Sequence, residues 1–246
     1  MCVNIQVRST NLTTFTTMRK YILLLLVIGV ASCAPSRFIE PLDEGEWSVG
    51  ANMGGPVIDF AGAPIPVPIT AIEVGYGLDS TKTIHGGLHT TAILFGNFQI
   101  DAGFTYQFLH QKKYIPNVSG AVGFNTIYDF DDKSGKFWPT LDLNAFWNYG
   151  KRRNYFYTGF NNYFDFTSTL ESGEQQSNNI VFSPQLGHVL KGNNRSWELT
   201  TEIKILAPYR RNDYAFVPYK SITGNFGAVG FYIGFRKILG NKSKTR

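Results

Sequence analysis

The chain has 246 residues, enough for one domain or one barrel, and is rich in aromatics (20 Phe, 13 Tyr, 4 Trp) while only 17% of its residues are charged. That charge is low for a soluble surface, yet no second long apolar run follows the N-terminal one. The formal net charge of +5 falls to +2 after residue 32, with 20 basic and 18 acidic side chains, a balance that leaves no nucleic-acid footprint and no basic helix for a membrane surface. Cys2 and Cys33 both precede the region of strand-like pattern, so no disulfide framework, Cys/His metal site or cofactor is expected.

Residues 1–17 have the character of upstream read-through, and Met18 is the expected start. Met18, Arg19 and Lys20 open a basic region, followed by the apolar run Tyr21 to Val30, which is too short to span a bilayer as a stable helix. Residues 18–32 therefore read as a secretory signal. Its ending, Val30-Ala31-Ser32-Cys33, resembles the lipobox of bacterial lipoproteins, which implies that Cys33 is acylated and becomes the mature N-terminus. Ala34 stands where lipoproteins retained in the inner membrane often have Asp, so the resemblance also implies transfer to the outer membrane. Residues 33–45 have the Pro and charge content of a lipidated tether.

From Trp47 onward the hydropathy alternates with period two. In the stretch 197–205, Trp197, Leu199, Thr201, Ile203 and Ile205 share one face against Glu198, Thr200, Glu202 and Lys204. Phe98, Ile100, Phe104 and Tyr106 likewise oppose Gln99 and Asp101, and Leu141, Leu143, Trp147 and Tyr149 oppose Asp142 and Asn144. Ten strands are predicted, at about 46–54, 69–78, 82–93, 97–110, 118–130, 136–149, 153–166, 179–191, 195–207 and 224–238. Several exceed the ~5–6 residues usual in globular sheets and match the ~9–11 that cross a bilayer when tilted. With a periplasmic N-terminus, the turns at 78–81, 111–117, 150–152 and 192–194 face inward and are short. Of the connections on the other side, 55–68, 167–178 and 208–223 are long. A two-residue loop at Gly96-Asn97 would turn Ile84 and Leu88 inside, so an odd loop or a bulge near 94–97 is expected.

Residues 230–235 (Gly-Phe-Tyr-Ile-Gly-Phe) resemble the C-terminal assembly signal of outer-membrane barrels, although a basic tail at 240–246 follows. Aromatics near strand ends (Trp47, Trp138, Trp147, Tyr149, Tyr155, Trp197) suit interfacial girdles. The expected architecture is thus an all-β, antiparallel, up-and-down transmembrane barrel of about ten strands over residues 46–239. The alternative is a soluble barrel or sandwich with its apolar face inward.

In the membrane reading Glu73, Asp101, Asp142, Glu198, Glu202, Lys204 and Arg236 form a polar network in the lumen, either filling it with ion pairs or lining a narrow pore. Antiparallel pairing would bring Arg236 within reach of Glu198. His85, His110 and His188 fall near periplasmic strand ends and His89 midway up a strand, so the outer-rim acids Asp59, Asp129, Asp131, Asp132, Asp165 and Asp213 lack a His partner. A ten-stranded outer-membrane protease family shares only the strand count, and no enzyme is expected. The reading is an outer-membrane barrel lipoprotein with a structural or interaction role. Its partners are the bilayer and a protein contacting loops 55–68, 167–178 and 208–223; a narrow pore or transport accessory is the alternative.

Overall fold

β1 (Trp47–Phe60) has a partner on each edge. On one side Trp47 lies opposite Tyr76 of β3 (Ile69–Asp79), and on the other opposite Leu239 of β11 (Phe226–Leu239). A first strand that pairs with the last closes the sheet and leaves no long free edge. The computed structural model describes residues 36–167, 179–212 and 218–240. Around the ring, β3 is followed by β4 (Lys82–Leu88), β5 (Asn97–Leu109), β6 (Asn117–Asp129), β7 (Ser134–Tyr149), β8 (Asn154–Phe164), β9 (Ile180–Lys191) and β10 (Trp197–Arg211). Each pairs antiparallel with its sequence neighbours, giving a closed ten-stranded up-and-down barrel. β2 (Ala63–Pro66) folds back on the far end of β1 as a short hairpin outside the ring. The signal, the Cys33 lipidation site and the tail from residue 241 lie outside the described residues, as do 168–178 of one long loop.

The two faces of the wall are opposite in character. On β10 Glu198, Glu202 and Lys204 are buried inside, whereas Ile203 between them is 49% exposed on the outer surface. Phe98, Tyr106, Leu141, Phe231 and Ile233 also point outward, against inward Gln99, Asp101, Asp142 and Arg236. A soluble barrel would have these faces exchanged, so that alternative is overturned. Among the described residues no helix is long and apolar enough to cross a membrane; the apolar surface is carried by strands. Near the end that carries the chain termini of the barrel, Trp47 packs on Tyr76 with ring centroids 4.8 Å apart and Trp197 on Phe235 at 6.1 Å.

β1 and β10 run on to Phe60 and Arg211, past the expected ends at 54 and 207, so much of the expected 55–68 loop is strand and hairpin. Three further details differ from the sequence expectation. β4 stops at Leu88 instead of running to residue 93, and a short helix, α1 (Thr90–Leu94), follows. The Thr91 hydroxyl accepts the Thr70 backbone N–H at 2.8 Å and holds this turn of helix against β3. Gly96, at φ +76, completes the reversal into β5. With this connection Ile84 pairs with Phe104 and both face outward, which settles the parity that a two-residue loop would have inverted.

Tyr155, expected in an interfacial girdle, is fully buried inside instead. It joins Phe146, Tyr157 and Val189 around Ile39 in one apolar patch of the interior, and Phe38, Leu42 and Ile238 form a second. The third difference explains both patches. Residues 36–42 are not an extended tether but lie folded inside the barrel, with Phe38 (2% exposed), Ile39 (3%) and Leu42 (0%) buried, and exposed residues 43–45 follow at the turn end.

Candidate functional site

The lumen receives its polar side chains from alternate positions of well-separated strands. Glu73 comes from β3, Asp101 from β5, Asp142 from β7, Glu198, Glu202 and Lys204 from β10, and Arg236 from β11. All seven are buried inside. Five carboxylates against two cations would be costly in a low-dielectric interior without further positive charge. Much of that charge comes from the N-terminal segment and from the turn end of the barrel.

Arg37 supplies the centre. Its Nε lies 2.8 Å from Asp142 Oδ2 and its Nη1 2.6 Å from Glu202 Oε2, so one guanidinium ties β7 to β10 across the lumen. Glu202 also accepts the Tyr157 hydroxyl at 2.7 Å, and Lys204 Nζ approaches it at 3.4 Å. At the turn end Glu40 pairs with Lys191 and lies 3.6 Å from Arg195. Arg195 in turn donates to Glu198 at 2.8 Å, and Arg236 Nε sits 3.2 Å from the other Glu198 oxygen and 3.9 Å from Glu73. Arg236 and Glu198 are directly opposite in the β10–β11 register, the juxtaposition that antiparallel pairing implies. The Arg236 guanidinium also stacks over the Phe38 ring at 4.2 Å.

The segment forms no sheet, so its backbone groups are satisfied piecemeal. The Gly45 N–H donates to the Gly77 carbonyl and the Gly77 N–H to the Glu46 carbonyl, both at 2.9 Å. The Leu42 N–H donates to Thr83 Oγ1 at 2.8 Å, Ser119 Oγ donates to the Ile39 carbonyl at 2.6 Å, and the Ser36 N–H donates to Asp101 Oδ1 at 3.1 Å. Room for it is made by glycines that face inward. A Cβ at Gly75 would collide with the Phe38 ring, and one at Gly77 with the Asp43 carbonyl.

The upper end of the segment meets the one lumen site that contains histidine. Ser36 Oγ donates to Asp101 and lies 3.2 Å from His85 Nδ1, while His89 Nε2 lies 2.8 Å from the other Asp101 oxygen. His89 is therefore not midway up a strand but at the start of α1, turned fully inside. Serine, histidine and aspartate meet here, but the cavity beside them has about 20 Å³, the room of a water molecule. A second cavity, about 50 Å³ between Arg37, Glu73, Glu202, Lys204 and Arg236, has room for a few water molecules. Among the described residues no group of His, Cys, Asp and Glu could hold a metal ion. The rim acids are engaged locally: Asp59 pairs with Lys220 at 2.6 Å, and Asp129 accepts the N–H groups of Asp131 and Asp132. Asp213 lies outside the described residues.

Ser36, Arg37, Glu40, His89, Lys191 and Arg195 are the lumen residues that sequence reasoning missed. One signal was available: the excess of inward carboxylates on the predicted strands demands cations from elsewhere.

Fold and interior together define a closed antiparallel β-barrel with an apolar outside, a polar inside and its own N-terminal segment as filling. No protein-family model matches the chain, and no curated protein matches it. Among solved structures it is similar to the translocator domain of autotransporter NalP from Neisseria meningitidis, at 9% identity over 91% of this chain and 96% of that one, with a TM-score of 0.41. It is also similar to Ail, the attachment invasion locus protein of Yersinia pestis, at 10% identity over 80% of this chain and 99% of that one, with a TM-score of 0.27. The barrel assignment itself stands on the pairing of β1 with β11.

Proposed function

We propose that the chain is an acylated barrel of a bacterial outer membrane that serves a structural or interaction role and has no catalytic or conducting activity. The observation that carries this reading is the occupied lumen: among the described residues Arg37 is bonded to both Asp142 and Glu202 across the bore, beside cavities of about 20 and 50 Å³. The outward apolar face and the aromatic pairs at the turn end support placement in a bilayer, with that end periplasmic. Contacts are left to the outer loops. Two of them are joined, since Ile58 bridges to Tyr219, the Lys220 N–H donates to the Val57 carbonyl at 2.8 Å, and Lys220 pairs with Asp59. The β1–β2 hairpin and residues 219–220 thereby brace each other, and Pro64 and Pro66 blunt the edge that β2 would otherwise present.

In planar bilayers the intact protein is expected to show no current above the lipid background. Stable conductance steps from it would instead support the pore reading. The bilayer placement has its own check. Ile203→Arg puts a cation on the outward face well inside the length of β10, and is expected to cost ~2–4 kcal/mol in lipid vesicles, whereas Ile203→Ala costs less. Reversible unfolding in urea measures both, and an Arg variant as stable as the Ala variant would contradict a lipid-facing Ile203.

A further inference from the structure

The N-terminal segment has a direction, and that direction bears on where a lipid on Cys33 can sit. Between residues 46 and 36 the chain climbs the inner face of β4. Glu46 and Asp43 lie against Gly77 at the turn end. Leu42 is bonded to Thr83, the Phe38 ring is 5.4 Å from His85, and Ser36 Cβ is 3.3 Å from the Cβ position of Gly87. Residues 83, 85 and 87 are successive inward positions, and β4 ends at Leu88. Ser36 therefore sits at the top of the shortest wall strand.

On the neighbouring strand its partner Asp101 is four residues from the loop end at Asn97 and eight from the turn end at Leu109. At ~3.3 Å per residue these are ~13 Å and ~26 Å of strand. Cys33 lies three residues before Ser36, a reach of at most ~11 Å for a fully extended chain. From Ser36 that reach approaches the loop end and falls far short of the turn end. Acyl chains have no room beside Ser36, where the cavity is about 20 Å³ and is lined by Asp101, Asn125 and Asp142. Past the end of β4, by contrast, α1 presents Ile93 (47% exposed) and Leu94 (81% exposed), apolar side chains at the rim.

We propose that the lumen segment carries the mature N-terminus to the outer mouth of the barrel, so that the acyl groups of Cys33 cross the rim at β4 and α1 into the outer leaflet. This rests on the acylated-lipoprotein reading above. The segment is then a conduit as well as a filling: it holds the anchor on the side opposite to the one where a simple tether would leave it.

The test uses the full chain with its leader in cells. Pro35→Cys places a thiol between Cys33 and the lumen, and a membrane-impermeant maleimide is added to intact cells and to cells with a permeabilised outer membrane. Intact mass of the purified protein reads acylation of Cys33 separately. Ser36→Cys with Gly87→Cys, whose Cβ positions lie 3.3 Å apart and need move only a few tenths of an ångström to reach the ~3.5–4.5 Å of a disulfide, reads insertion of the segment by its shift on a non-reducing gel. The expected result is an acylated protein, a disulfide in the double variant, and labelling of Pro35→Cys in intact cells equal to that after permeabilisation. Labelling that requires permeabilisation, no labelling at all, or a disulfide-locked fraction devoid of acyl mass would overturn the routing while leaving the lipoprotein reading in place. An unacylated Cys33 in otherwise folded barrel would remove the lipid itself, a failure of the lipoprotein reading that the mass alone identifies.

Discussion

Deleting residues 36–45 is expected to turn a silent barrel into a conducting and much less stable one. The deletion removes Arg37 from between Asp142 and Glu202 and Glu40 from beside Lys191, so three buried charges, on β7, β10 and β9, lose a partner at once. It also uncovers the apolar patch of Phe146, Tyr155, Tyr157 and Val189 that Ile39 covers, and leaves Gly75 and Gly77 facing empty bore. Burial of Phe38, Ile39 and Leu42 contributes ~1.5–3 kcal/mol each, which sets the loss at several kcal/mol before any electrostatics. Water filling the bore offsets part of the charge penalty by solvating it, and that same water conducts ions. Planar-bilayer recording should show discrete steps only in the deletion variant, and its folded form should lose heat-resistant gel migration at a lower temperature than the intact protein. A deletion variant that stays silent and unfolds at the unchanged temperature would show that the segment does not fill the barrel.

Arg37→Met is expected to cost ~3–5 kcal/mol, the range for removing one partner from a buried ion pair. Methionine keeps much of the side chain's length and bulk, so packing against the lumen is largely retained and the loss is electrostatic. Two carboxylates from β7 and β10 then face each other without the cation that separated them, with Lys204 left near Glu202 at 3.4 Å. The diagnostic is coupling. Asp142→Asn should destabilise the native protein far more than it destabilises the Arg37→Met variant, because in the latter the neutral amide removes an unpaired charge. Asp142→Asn leaves the second Arg37 contact, to Glu202, in place in the parent, so the cycle isolates the Arg37–Asp142 pair. Urea unfolding in vesicles measures all four proteins, and additive losses would mean that Arg37 does not depend on Asp142.

By itself the sequence determined the wall of this barrel: the class, the number of strands, their order, and which face of each turns in. Period-two alternation is a local property, and a one-residue slip would move every side chain of a strand to the wrong face, so register follows closely from pattern. Glu198 and Arg236 could be paired for the same reason, because neighbouring strands joined by one loop have a calculable register. The exceptions sit where the pattern is short or mixed. Residues 89–93 read as strand by their apolar content but follow the Thr70 hydrogen bonds into a helix, and the aromatic character of Tyr155 suggests a girdle although its parity on β8 turns it inward.

Only the tertiary structure decided what fills the interior. Residues 36–45 have no periodicity, and their Pro and charge content is what a solvated tether would also have. Their meaning depends on partners 105 and 165 residues away, Asp142 and Glu202, which come together only once the sheet has closed. A closed wall is written in local alternation, whereas an irregular segment inside it is held by side chains from many strands at once. Such a set of contacts leaves in any one stretch of sequence no more than an unbalanced charge and a few inward glycines.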